Sequence, residues 1–174
     1  MFLQGIKEES MKAKNKLLTL LILSAGAAVT TAGINKAIQF SAVSKNFLAE
    51  PEPLCFKWRL GNVYYTKEGT GKPLLLIHDL DTCTSGYEWK QLIPFLSSKY
   101  TVYTIDLLGF GRSEKANMTY TNFLFVQLIS DFIKSEIGHR TSIITSGEAA
   151  SIPLMACANN PDLFDQIMAI NPLS

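Results

Sequence analysis

Charged side chains stop at Lys16 and do not return until Lys36, and this gap is the strongest feature in the hydrophobic pattern of the chain. Leu17 to Ile34 carries no charge; at about 1.5 Å per helical residue it spans roughly 27 Å, close to the hydrocarbon thickness of a bilayer. The pattern predicts a transmembrane helix over residues 17–36, preceded by a basic tail over 1–16. Its second half, Ser24 to Gly33, is only weakly apolar, and Ala25-Gly26-Ala27 after the Leu-rich core also fits a signal-peptidase site. A retained anchor is the first expectation; a cleaved signal and a helix outside any membrane are the alternatives. Lys7, Lys12, Lys14 and Lys16 outnumber Lys36 and Lys45 on the other side, which puts the tail in the cytoplasm. The expectation is therefore a single-pass protein of the cell membrane with its domain outside the cytoplasm, or a secreted one if the segment is cleaved.

Residues 37–53 read as a polar linker ending in Glu50-Pro51-Glu52-Pro53, where the prolines favour extended chain. The pattern then changes to that of a folded domain over 54–174. Phe56 and Trp58 alternate with Lys57 and Arg59, Gly61-Asn62 marks a turn, and Val63 to Thr66 resumes, which predicts a hairpin. Pro73 to Ile77 is an unbroken apolar run, as a strand buried on both faces requires. Ser85 to Tyr100 places Trp89, Leu92, Ile93 and Phe95-Leu96 at helical spacing; Tyr100 to Ile105 reads as a strand. Thr121 to Ile137 sets Phe123, Phe125, Leu128, Ile129, Phe132 and Ile133 on one helical face, Thr141 to Thr145 is a strand, and Gln166 to Ile170 is a last apolar stretch. Alternating strands and helices imply an α/β fold with a doubly wound, mostly parallel sheet.

Composition narrows the function classes. With 174 residues, 47% hydrophobic and 18% charged, the chain suits one domain plus one extra apolar segment. A formal net charge of +1 and no Lys/Arg-dense face exclude the electrostatic footprint of a nucleic-acid binder. Cys55, Cys83 and Cys157 have no C-x-x-C spacing, so neither a disulfide framework nor a zinc site is indicated. No metal and no cofactor are expected. Gly109-Phe110-Gly111-Arg112-Ser113 lacks the spacing of a phosphate-binding loop, and Asp106 is expected to fix that turn through backbone N–H groups.

Three segments at predicted strand ends carry a resemblance. LLLIHDLDTCTSGYEW, TVYTIDLLGFGRSEKAN and SIITSGEAASIPLMAC with INP after it resemble, in turn, the His-Gly loop, the Asp-x-x-Gly-x-Gly-x-Ser segment and the nucleophile elbow of α/β hydrolases of the esterase, lipase and haloperoxidase-like group. The resemblance covers roughly Phe56 to Ser174 and implies the N-terminal half of that fold, an ancestral hydrolysis of an ester or related acyl bond, and a small ester-like substrate.

The same resemblance assigns site residues. His78 supports the loop, the N–H groups of Leu80 and Ala150 form the oxyanion hole, and Ala149 stands at the nucleophile position, so the hydroxyl is lost. Asp79 replaces the usual glycine, and a carboxylate beside an anion-stabilising pair is electrostatically awkward unless it points away. A shifted alignment would put Gly147 at the elbow, or offer Ser146 or Ser151 as nucleophile. In this family the histidine base follows the nucleophile and the triad acid, whereas His78 and His139 both precede residue 149. The chain is thus expected to be inactive by itself, a pseudoenzyme that would need a C-terminal half from elsewhere or would self-associate through uncovered apolar surface. A non-catalytic, membrane-tethered binding module or remnant is the alternative.

Overall fold

The apolar run Pro73 to Ile77 needs cover on both faces, and it receives it at the centre of a six-stranded sheet. The computed structural model describes residue 30, residues 33–38, residue 41 and residues 53–172. The strands are β1 (Leu54–Trp58), β2 (Gly61–Glu68), β3 (Lys72–Ile77), β4 (Tyr100–Ile105), β5 (Thr141–Ser146) and β6 (Phe164–Ile170), in the order β1-β2-β4-β3-β5-β6. The four strands from β4 across to β6 pair in parallel, whereas β1 with β2 and β2 with β4 pair antiparallel, so the sheet is mixed.

Strand alternation sorts the core onto two faces. Leu75, Ile77, Tyr103, Ile105 and Ile143 point to one face, where Phe56, Trp58, Val63 and Tyr65 of the hairpin join them. The helices α2 (Asn122–Phe132) and α3 (Ser151–Asn159) cover this side through Leu128, Ile129, Phe132, Ile152 and Ala156. Phe132 is fully buried and meets Phe56 and Tyr65 edge to face, with ring centroids 5.7 and 4.9 Å away. Such a ring contributes about 1.5–3 kcal/mol by burial. Leu74, Leu76 and Val102 point the other way, against Trp89 and against Ile93 of the short helix α1 (Ile93–Leu96). Cover on both faces is what makes a parallel sheet stable in water.

Three expectations change. The helix expected over Ser85 to Tyr100 is a 3-10 turn, Gly86–Trp89, followed by the single-turn α1, and Leu92 and Phe95 are exposed. Pro94 explains the late start, since proline fits only the first turn of a helix, where no N–H is needed. Phe123 is 61% exposed, because in α2 the inward stripe passes through Leu124, Phe125, Leu128, Ile129 and Phe132 and leaves residue 123 above the polar Gln127. Finally, α2 continues as a wide π turn, Ile133–Ile137, and ends at Gly138, whose φ of 74° is the left-handed cap that glycine adopts most readily.

The chain divides into two units, Met1–Ala49 and Glu50–Ser174. In the first, residues 30, 33–38 and 41 are helical and exposed. Among the described residues no helix is long and apolar enough to cross a membrane. The tail expected over 1–16, most of the segment expected over 17–36 and most of the linker expected over 37–53 lie outside the described residues.

Candidate active site

Parallel strands end together, so the carboxyl ends of β3, β4 and β5 bring three loops to one edge of the sheet. The β4 loop is fixed from within. Asp106 Oδ1 accepts the N–H of Gly86 at 2.7 Å and Oδ2 that of Arg112 at 2.9 Å, while its carbonyl accepts the Ser113 hydroxyl at 2.5 Å. Gly111, with φ 47°, lies so close to this carboxylate that any added Cβ would overlap it. Asp106 is thus consumed by the turn.

His78 is fully buried and bridges two loops: its Nε2 accepts the N–H of Leu107 at 3.0 Å, and its Nδ1 lies 2.6 Å from the carbonyl of Asp79. An N–H donor opposite Nε2 and a carbonyl opposite Nδ1 fix a neutral ring protonated at Nδ1. Burial lowers its pKa below the usual 6.5, and the bond to Asp79 opposes that only in part.

The tip of the elbow is Gly147 rather than Ala149. After β5, the chain reverses at Gly147, whose φ is 55°, and passes through the 3-10 turn Gly147–Ala150 into α3. A strained strand-to-helix turn places its central residue at this positive-φ position. Ala149 lies two residues further on, fully buried in the core, and Ala150 is buried beside it. Ser151 is spent on a local bond to the carbonyl of Glu148 at 3.1 Å. Ser146, the last residue of β5, donates its hydroxyl to Oε1 of Glu88.

Asp79 does not point away. Its Oδ1 accepts the N–H of Leu80 at 2.7 Å and the N–H of Glu148 at 2.8 Å. One of these donors follows the His-Asp pair on the β3 loop, and the other follows the elbow tip at the start of a helical turn, where backbone N–H groups have no partner in the helix. Leu80 therefore belongs to the N–H pair, but its partner is Glu148 and not Ala150. A Cβ on Gly147 would overlap both oxygens of the Asp79 carboxylate. The side chain of residue 79 thus fills the volume in which a side chain at residue 147 would stand. Glu88 Oε2 also reaches the Asp79 N–H at 3.3 Å, and the Thr84 hydroxyl donates to the Asp79 carbonyl at 2.5 Å, so the loop is held on both sides.

Sequence reading placed the tip of the elbow two residues late and missed the pairing of Asp79 with Gly147. The available signal was the coincidence of a carboxylate where the resemblance has glycine and a glycine near the centre of the elbow. Among the described residues no group of three or more His, Cys, Asp or Glu side chains is placed to hold a metal ion.

No family model matches the chain. It is 36% identical over 72 residues to 2-hydroxy-6-oxo-6-(2'-aminophenyl)hexa-2,4-dienoic acid hydrolase of Metapseudomonas resinovorans, a match covering 41% of this chain and 25% of that one. It is 27% identical over 110 residues to a soluble epoxide hydrolase of Corynebacterium sp. strain C12, covering 63% and 37% respectively. Among solved structures, an α/β hydrolase fold protein from Burkholderia ambifaria superposes with a TM-score of 0.64 at 20% identity, over 70% of this chain and 44% of that one. In each match the chain spans less than half the length of the relative.

Proposed function

Starting from the α/β hydrolase fold that this chain carries, we propose that its domain does not hydrolyse esters through the elbow. The observation that carries this reading is the Asp79 carboxylate, bound to the N–H groups of Leu80 and Glu148 and seated over Gly147. Acyl transfer at such a site needs a nucleophile at the elbow tip and two free donors for the oxyanion. Gly147 supplies no nucleophile, and Asp79 takes both donors with a charge of the sign the oxyanion would carry. His78 acts as a support for the loops, with both ring nitrogens committed.

The relatives are hydrolases of small molecules, one of them named for epoxides. The sheet edge holding Asp79, Ser146 and Glu88 is accordingly the place where this chain would take a small-molecule ligand. The membrane-tethered binding module remains the second reading, supported by the uncharged run Leu17 to Ile34 and the lysines before it.

The test is turnover of 4-nitrophenyl butyrate by the full chain. The expected rate equals that of a variant carrying both Ser146→Ala and Ser151→Ala. Turnover well above background that disappears with Ser146→Ala would contradict the reading and make Ser146, with Glu88 as its partner, the nucleophile.

A further inference from the structure

Helix α2, the carboxyl end of α3 and the turn of the hairpin border a cleft of about 280 Å³ that contains no residue of the three loops at the sheet edge. Ligand pockets commonly measure roughly 300–1,000 Å³, so this one suits only a small molecule. Its polar wall is organised around Arg59. The guanidinium lies over the Trp58 ring, 5.3 Å from the centroid, and donates through Nη2 to Gln127, while the Trp58 indole N–H is itself held by Asp131 at 2.8 Å. An arginine fixed on two sides loses little further freedom on binding, and its remaining N–H groups keep the planar fork that matches a carboxylate.

Lys134 lines the same cleft, and among the described residues neither cation forms an ion pair. A single exposed cation needs none, since water solvates it; two that line one cleft add their fields inside it. Asp131 is the one acid in the lining described, and its carboxylate already serves the Trp58 indole, so the wall keeps a surplus of one positive charge. The carboxyl end of α3 opposes an anion with about half a charge, which leaves the cleft fit for one negative charge and not two. Phe123, which the inward stripe of α2 leaves 61% exposed, and the buried Val126 supply the apolar part of the lining. We propose that this cleft binds a small organic monocarboxylate, its carboxylate on Arg59 and Lys134 and its aromatic or branched apolar body against Phe123 and Val126. A phosphate would bring a second charge that the wall does not compensate, and a neutral amide of the same shape would leave both cations unanswered.

The test titrates the full chain, labelled with nitrogen-15, with sodium phenylacetate and follows the backbone amides by NMR. Saturable shifts should appear over residues 123–134 and at Asn159 and Asn160, and the affinity should fall as salt is added. Phenylacetamide, neutral and of the same shape, and inorganic phosphate should each bind at least about tenfold more weakly, the scale of one charge-assisted contact. Lys134→Gln removes a cation that bonds to no other described residue, so the fold is left intact while Kd rises about tenfold. Arg59→Lys keeps the charge but loses the fork and the stacking on Trp58, and it should raise Kd as well. Shifts that do not saturate, that are as large with phenylacetamide or phosphate, that are indifferent to either substitution, or that fall on Leu80 and Glu148 of the sheet edge instead would overturn the proposal.

Discussion

At positions 79 and 147 a carboxylate and a missing side chain share one volume, and neither residue explains the site without the other. The chain shows both residues but not their distance, and a carboxylate at residue 79 is awkward only on the premise that an oxyanion has first claim on the N–H pair. With no side chain on Gly147, the carboxylate is itself the anion that the donors meet. The reading of Ala149 as the tip failed for a similar reason: small residues at 147, 149 and 150 look alike in sequence, and only the backbone shows that the positive φ falls on Gly147. At His78 the geometry gives a pH dependence. Its pKa in the folded chain lies below 6.5, so the folded state resists a proton that the unfolded state accepts. The stability contributed by neutral His78 is complete above about pH 6.5 and is lost as pH falls from there toward the folded value, at up to about 1.4 kcal/mol per pH unit. Urea unfolding at pH 7.5 and 5.5 should show this drop. His78→Gln, which can still accept from Leu107 and donate to Asp79, should flatten it; an unchanged slope in that variant would assign the effect to another group.

At the scale of elements, periodicity located what was long and regular. The run Pro73 to Ile77 and the apolar stripe of residues 124–133 each have one packing solution, which is why β3 and α2 were legible. The stretch from Ser85 to Tyr100 was not, because its aromatic spacing imitates a helix while Gly86 must sit flush against Thr104 and Asp106, where a Cβ would approach the Thr104 methyl to 2.7 Å. Long-range side-chain bonds were also invisible in sequence. Trp58 Nε1 donates to Asp131 at 2.8 Å and the Tyr65 hydroxyl to Glu136 at 2.5 Å, and together they fasten the end of α2 and its π turn to the hairpin. Burial, and then the bond to Glu136, raise the Tyr65 pKa well beyond the usual tyrosine range. Tyr65→Phe should therefore lower unfolding stability by about 1 kcal/mol, and more if the Glu136 carboxylate is left buried without a donor. Combining it with Glu136→Gln should cost less than the sum of the two single changes. Strict additivity by denaturant titration would show that the bond does not fasten the helix.

For the whole molecule, the fold was legible because three loops at one sheet edge resemble those of a hydrolase, and a resemblance of loops fixes the strands that carry them. Topology relative to a membrane rests on sequence alone. If Leu17 to Ile34 anchors the chain with its domain outside, protease added to intact cells or spheroplasts will digest the domain; complete protection, or a mature N-terminus near Val29, would contradict that arrangement. What unites the fold and the chemistry is the claim that this sheet edge keeps the N–H pair of a hydrolase and fills it with its own Asp79. The most direct measurement is the NMR chemical shift of the Leu80 and Glu148 backbone amide protons of the full chain, compared between the wild type and Asp79→Ala. Both protons should move upfield in the variant, because each loses the same charged acceptor. If Glu148 does not respond, the carboxylate does not occupy the pair and the elbow is open.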